Sequence, residues 1–318
     1  MRGAIDSLRA QTRAPDEILL VDNKPGATLP DLSDVPEVRV IAPDVNLGYP
    51  NAINFAIEHT DAQFVLCINP DARADEDCLA VMLGAAEADE RVAMVGAQIL
   101  FEDGHTTQAG ANPLHPTGIS PAGPFGKERE HGEPRDALMV TGACCLFRRE
   151  AFTQLGGFNR SFFLYYDDAD IGWRARIAGY RVVYCPEATV RHAYEFSRRG
   201  RKMFYLERNR LISVLTNYEV GTLVRLAPLL VVTELGVLVW AAAQGWLGEK
   251  VEAYVSLVRL APKISEQRGR VQPMRCIPDA ELAPLFEHHL DSPFLPRVPA
   301  ALFGVLTDAY LRLVRAVP

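Results

Sequence analysis

Basic residues are in short supply in this chain. Its 318 residues include 33 lysines and arginines against 40 aspartates and glutamates, a formal net charge of −7. A nucleic-acid partner asks for a basic surface, so that class of function is excluded. Paired cysteines are missing as well. Cys67, Cys78, Cys144, Cys145, Cys185 and Cys276 form no C-x-x-C motif, and most lie inside apolar stretches. They read as small buried hydrophobes in a reducing compartment, not as a disulfide framework or a zinc site. No internal repeat is visible, and no glycine-rich basic phosphate loop stands near the N-terminus, which counts against nucleotidyltransferase chemistry. The opening residues, MRGAIDSLRAQ, read as an amphipathic helix with Ile5 and Leu8 on one face, not as a secretory leader.

What is present is a large apolar fraction, 48%, enough for a sizeable core. Short apolar runs at 17–23, 38–43, 64–69, 92–100 and 137–150 predict strands, each bounded by turn formers. Helical periodicity is expected over 49–59, over 75–88 with Asp75 as cap, over 168–178 and over 198–218. A strand with a loop is expected at 181–192. This alternation predicts an α/β fold, a largely parallel sheet flanked by helices. Residues 101–135 break the pattern with Gly, Pro and His, as long functional loops do.

From about residue 219 the character changes. Residues 226–246 are a long apolar run whose length approaches a bilayer span, but Glu234 and Pro228 are costly there. Three readings stay open: an interfacial helix, a spanning or re-entrant helix, and a helix buried against the rest of the protein. Residues 251–270 predict one basic amphipathic helix, with Arg259, Lys263, Arg268 and Arg270, suited to an anionic membrane surface. A last amphipathic helix is expected over 300–317. Residues 1–218 and 219–318 are the two expected units.

Two acidic clusters, about a hundred residues apart, carry the chemistry. Each follows an apolar stretch, where a strand emerges at the rim on which open α/β folds bind ligands. In INPDA, Asp71 can hold a divalent cation on a diphosphate; an Asn-Pro-Asp turn would look the same. In YYDDADIGWR, Asp167, Asp168 and Asp170 repel one another and raise at least one proton affinity, which suits a general base. An acidic helix N-terminus is the alternative, and Asp170 with Arg174 at i,i+4 reads as structural. His192 is a metal ligand or an ordinary core histidine. Asp22 ends a strand where it can bond a base or a ribose. Asn46, Gly48 and Asn54 lie in NLGYPNAIN, a loop entering a helix, for which capping is the plain explanation. ERNR, residues 207–210, reads as a solvated helix face.

In their order, LVDN, NLGYPNAIN, INPDA, TGACCLFRRE, GGFNRSFFLYYDDADIGWR and the His192 segment resemble glycosyltransferase family 2, especially its rhamnosyltransferase-like bacterial members. The resemblance covers roughly 1–218 and is most specific over 46–174. It implies a GT-A fold and an inverting transfer that depends on Mg2+ or Mn2+. It also implies roles. Asp22 matches the nucleotide-contacting aspartate, and Asn46, Gly48 and Asn54 fall on the nucleotide-sugar side. Asp71 matches the last acid of the DxD-type motif, with Asn69 at the position of the first. Asp168 matches the catalytic base, Asp167 stands where the family usually has glutamate, and His192 matches a histidine that completes the metal shell. Gly142 and Ala143 match the segment beside the acceptor. Family members usually open with a strand that this chain lacks, and a start codon placed too late is the expectation. The function expected is transfer of a sugar, rhamnose as first choice, from a dTDP- or UDP-sugar to a cell-envelope glycan or polyprenyl-linked acceptor. The place expected is the cytoplasmic face of the plasma membrane. The alternative is a non-catalytic scaffold or sugar-binding subunit of a glycan assembly complex.

Overall fold

The computed structural model describes residues 1–24, 26, 29, 31–193, 201–295 and 297–314. Helix α1 (Arg2–Arg9) leads into β1 (Ile18–Val21) and β2 (Val38–Ile41), which pair in parallel as a two-stranded sheet. Helix α2 (Tyr49–Glu58), β3 (Phe64–Ile68), β4 (Ala72–Ala74), α3 (Cys78–Glu87) and β5 (Val92–Leu100) follow. Two short strands, β6 (Thr107–Ala109) and β7 (Arg135–Asp136), lie in the irregular stretch before β8 (Cys144–Arg148) and α4 (Arg149–Gln154). Then come α5 (Asp167–Ile177) and the long β9 (Arg181–His192).

The main sheet runs β3-β8-β5-β9-β4, with β6 on β5 and β7 on β9. Its directions correct the largely parallel expectation: β5–β9 is parallel, while β3–β8, β5–β8 and β4–β9 are antiparallel. The reason lies in the connections. The chain from β5 to β8 carries only the short β6 and β7 and no crossover helix, so β8 can return in the opposite sense. All nine residues of β5 are buried, and Gly96 is required there because a Cβ would stand 2.2 Å from Val140. The expected strand over 137–150 shrinks to Cys144–Arg148, since α4 begins at Arg149 and residues 142–143 spend their backbone groups elsewhere. Among the described residues, neither β1 nor β3 has a strand partner on its other edge.

Helix α6 (Lys202–Asn217) packs between α5 and the C-terminal helices. The start expected for it, at 198–200, lies outside the described residues, as does the end of the last expected helix. Helix α7 (Val220–Gln244) covers the apolar run. The expected helix over 251–270 is two, α8 (Leu247–Arg259) and α9 (Ala261–Val271), because Pro262 sits in the first turn of α9 and favours a new start there. Short α10 (Asp279–Leu282) and α11 (Arg297–Val314) complete the chain. Leu226, Leu229, Val271, Leu282 and Leu311 join Trp173, Ile177 and Ile212 in one buried cluster, so the C-terminal helices share a core with α5 and α6.

Helix α7 is long and apolar enough to cross a membrane, and 28% of its most apolar window is buried. Thr222, Leu226, Leu229, Thr233 and Ala241 form the buried stripe, which runs nearly the whole length of the helix. Glu234 is neutralised: its carboxylate accepts from Arg210 of α6 at 2.5 Å and from Lys250 and Tyr254 of α8 at 2.6 and 2.7 Å. Glu207 bonds the same two cations, so two carboxylates face two cations. The opposite face carries exposed Val224, Val231, Val232, Leu235 and Val239.

Candidate active site

Residues 142–143 join the two acidic clusters. The Gly142 N–H donates to Asp168 Oδ2 at 3.0 Å, and the Asn69 N–H donates to the Ala143 carbonyl at 2.9 Å. Tyr49, at the start of α2, donates its hydroxyl to the Gly142 carbonyl at 2.6 Å. Around these atoms lies a cleft of about 540 Å3. Asn69, Gly142, Ala143, Asp167, Asp168 and His192 line it. Met203, Leu206, Trp240 and Phe294 add an apolar wall.

Asp168 is the second residue of α5. Its Oδ1 also accepts from the Ala169 N–H, at 2.8 Å. Burial raises its pKa, and the two backbone donors oppose that by favouring the charged form. Asp167 is more deeply buried; burial first, and then the charge of Asp168, push its pKa well above the usual carboxylate range. The Gly142 and Ala169 donors bond Asp168 alone, which makes it the partner fitted to carry the charge. Asp170 faces the other way, bonded to Arg174 at 2.8 Å and to Ser213 at 2.8 Å, a structural ion pair as the i,i+4 spacing suggested.

Strand β4 pairs with the end of β9, which brings Asp71, itself not among the residues lining the cleft, to His192. Asp71 Oδ1 is 3.1 Å from His192 Nε2. The other ring nitrogen, Nδ1, lies 2.8 Å from Gln108 Oε1, and the Gln108 amide donates to the His192 carbonyl at 3.3 Å. With that amide orientation Nδ1 carries a proton, so in the neutral ring the Nε2 lone pair points at the carboxylate. Either a proton on Nε2 or a cation bound beside it satisfies this contact, and the Asn69 amide nitrogen stands 3.4 Å from the same Nε2. Asn69 Oδ1 is buried with no hydrogen-bond partner among the described residues. Ligands about 2.1 Å from an ion on neighbouring corners of an octahedron stand about 3 Å apart, so the 3.1 Å between Asp71 Oδ1 and His192 Nε2 fits two ligands of a divalent metal. Among the described residues no three or more acidic, histidine or cysteine side chains converge, so water or phosphate oxygens would complete the shell.

The donor-side residues divide. Asn46 is exposed, and its side chain accepts from the Gly48 N–H at 2.9 Å. Gly48 has φ 76°, and a Cβ there would meet the Phe163 carbonyl at 2.2 Å, so only glycine fits. Asn54 is buried and bonds both backbone groups of Phe158, at 2.8 and 3.0 Å; it pins α2 to the 155–158 turn. Asp22 closes an Asx turn on the Lys24 N–H. None of these four lines the cleft, whereas Asn69, Gly142, Ala143, Asp167, Asp168 and His192 do. Gln108 and Tyr49 escaped the sequence reading, because their partners come from elsewhere in the chain.

The chain matches the model of Glycosyl transferase family 2 over residues 1–156. It is 32% identical over 212 residues to the N-acetylglucosaminyl-diphospho-decaprenol L-rhamnosyltransferase of Mycobacterium tuberculosis, covering 58% of this chain and 69% of that protein. The chain belongs to glycosyl transferase family 2. It is 33% identical to the O-antigen biosynthesis protein RfbC of Myxococcus xanthus over 215 residues, 63% of this chain but 17% of that much longer protein. The fold is GT-A: a crystal structure of GalNAc-T7 with UDP, GalNAc and Mn2+ superposes with a TM-score of 0.53 at 14% identity, over 67% of this chain and 44% of that one. Within this family-2 chain, the fold expectation drawn from motif order holds, while the sheet directions are those described above.

Proposed function

We propose that the protein is an inverting, metal-dependent glycosyltransferase that moves a sugar, rhamnose first among the candidates, from a dTDP- or UDP-sugar to a cell-envelope glycan or polyprenyl-linked acceptor. The observation that carries this reading is Asp168: a carboxylate lining the cleft, accepting from two backbone N–H groups, with Asn69 and His192 lining the same cleft. The relatives named for rhamnosyl transfer and O-antigen biosynthesis support the donor and acceptor classes.

In this reading Asp168 takes the proton of the acceptor hydroxyl as its oxygen attacks the anomeric carbon. The bond to the diphosphate breaks on the opposite face, so configuration inverts without a glycosyl-enzyme. Asp71, His192 and the Asn69 amide oxygen would hold a Mg2+ or Mn2+ ion. When bound, such an ion neutralises the charge that grows on the leaving diphosphate. Gly142 holds Asp168 from the acceptor side, and Asp22, Asn46, Gly48 and Asn54 act on the donor side by shaping the loops around it. The apolar wall at Met203, Leu206 and Trp240 suits the lipid portion of an acceptor. The exposed apolar face of α7 suits the cytoplasmic membrane surface, with α7 lying along it.

Product analysis tests the reading. With dTDP-rhamnose and a polyprenyl-diphosphate sugar acceptor, NMR of the product is expected to show the anomeric configuration opposite to the donor's. Asp168→Asn is expected to form no product above about one hundredth of the parent rate. Retained configuration, or full activity without the Asp168 carboxylate, contradicts it. A folded protein that binds nucleotide sugar and never transfers it points to the non-catalytic alternative.

A further inference from the structure

Only Tyr165 and Tyr166 among the described non-glycine residues have positive φ, 66° and 67°. Left-handed backbone is disfavoured for bulky side chains, and two in succession persist only where the surroundings impose them. Here they immediately precede Asp167 and Asp168, and Tyr166 is the N-cap of α5. The direction in which Asp168 leaves the helix is thus set by this turn.

The turn is gripped from α6. Asn209 is fully buried, and its amide donates to the carbonyls of Leu164 at 3.0 Å and Tyr165 at 2.8 Å. Its own oxygen accepts from Arg208 Nε at 3.0 Å, which fixes the amide orientation, and Arg208 also donates to the Ser161 carbonyl at 3.0 Å. Tyr166 is held at its far end by a hydroxyl bond to the Gly118 carbonyl at 2.5 Å. The ERNR segment, read from sequence as a solvated face, is buried throughout; Arg208 and Asn209 grip this turn, while Glu207 and Arg210 face Glu234 and Lys250.

We infer that Asn209 is a positioning residue for the reaction: its amide holds the left-handed Leu164–Tyr166 turn that aims Asp168 at the acceptor. This rests on Asp168 being the base. Asn209→Asp keeps the size of the side chain and removes both donors. It is expected to lower kcat about 100-fold, since small displacements of a reacting group cost that much, while donor KM stays within about 3-fold. Glycine accepts positive φ without support, so in a Tyr165→Gly background the same change is expected to lower kcat by no more than about 10-fold. Equal losses in both backgrounds, a loss confined to KM, or an unchanged kcat would overturn the inference.

Hydrogen exchange gives a readout independent of activity. Asn209→Asp is expected to speed exchange across residues 164–170 and to leave α6 protected. Faster exchange along the whole of α6, with 164–170 no more affected, makes Asn209 a fold residue and overturns the inference. If the parent protein proves inactive, the base assignment fails and the clamp is judged on exchange alone. If Asn209→Asp fails to fold, Asn209→Ser, with one donor, replaces it in both backgrounds. Folding only with Tyr165→Gly supports the clamp, and failure in both counts against it.

Discussion

Two adjacent carboxylates end up with different duties because their surroundings differ by two backbone hydrogen bonds. Asp168 receives N–H donors from Gly142 and Ala169, and Asp167 sits deeper without them. Burial raises both, so the acid limb of the kcat/KM profile is expected to lie above the ordinary carboxylate range near pH 4. A limb at or below that value would contradict this environment for Asp168. Asp167 makes a separate prediction about stability. A carboxyl whose folded pKa is raised binds its proton more tightly in the fold, so stability falls as pH rises from the unfolded pKa through the folded one. Asp167→Asn removes that loss, and its unfolding midpoint is expected to exceed the parent's by more at pH 8 than at pH 4.5. The acidic pair was legible because three acids stand within four residues, although they open α5 after a turn and do not follow the strand expected before them. Gln108 was not, since its place beside His192 is made by the pairing of β5 with β6 and β9. Asn209 left a faint signal: asparagine is a poor helix former, and one in the middle of α6 hints at a tertiary duty.

Helix α6 collects these duties on one element. Its Arg208 and Asn209 hold the turn before Asp168, its Ser213 holds Asp170, and its Glu207 and Arg210 meet Glu234 and Lys250. Removing one member of a buried ion-pair network leaves the others uncompensated, at a cost of about 3–5 kcal/mol. Glu234→Ala is expected to lower stability by that order in urea unfolding, and a change under about 1 kcal/mol would mean that the network is solvated. Glu234 stood out in the sequence as an acid in an apolar run, but its partners on α6 and α8 could not be read there. The strand directions were hidden for a related reason: an apolar run looks the same whichever way it is threaded, and the helix-free connection to β8 decided it.

For the molecule as a whole, α7 is the element with one face packed on the core and the other apolar and exposed. Its inner stripe is tied to the core along its length and through Glu234, which disfavours pulling it out to span a bilayer. Its outer face presents Val224, Val231, Val232, Leu235 and Val239. Co-sedimentation with anionic vesicles is expected, and Val231→Glu with Leu235→Glu is expected to weaken it at least about 10-fold by placing two charges against lipid. Undiminished binding by that variant would move the contact elsewhere.

Asp71 and His192 are proposed to hold a divalent ion on a nucleotide donor. Calorimetric titration of the protein and of Asp71→Ala with UDP, dTDP and GDP, each with and without manganese, tests this. One nucleotide is expected to bind only with the metal present, and Asp71→Ala is expected to abolish this binding. Nucleotide binding indifferent to both manganese and Asp71, or no binding at all by a folded protein, would contradict it.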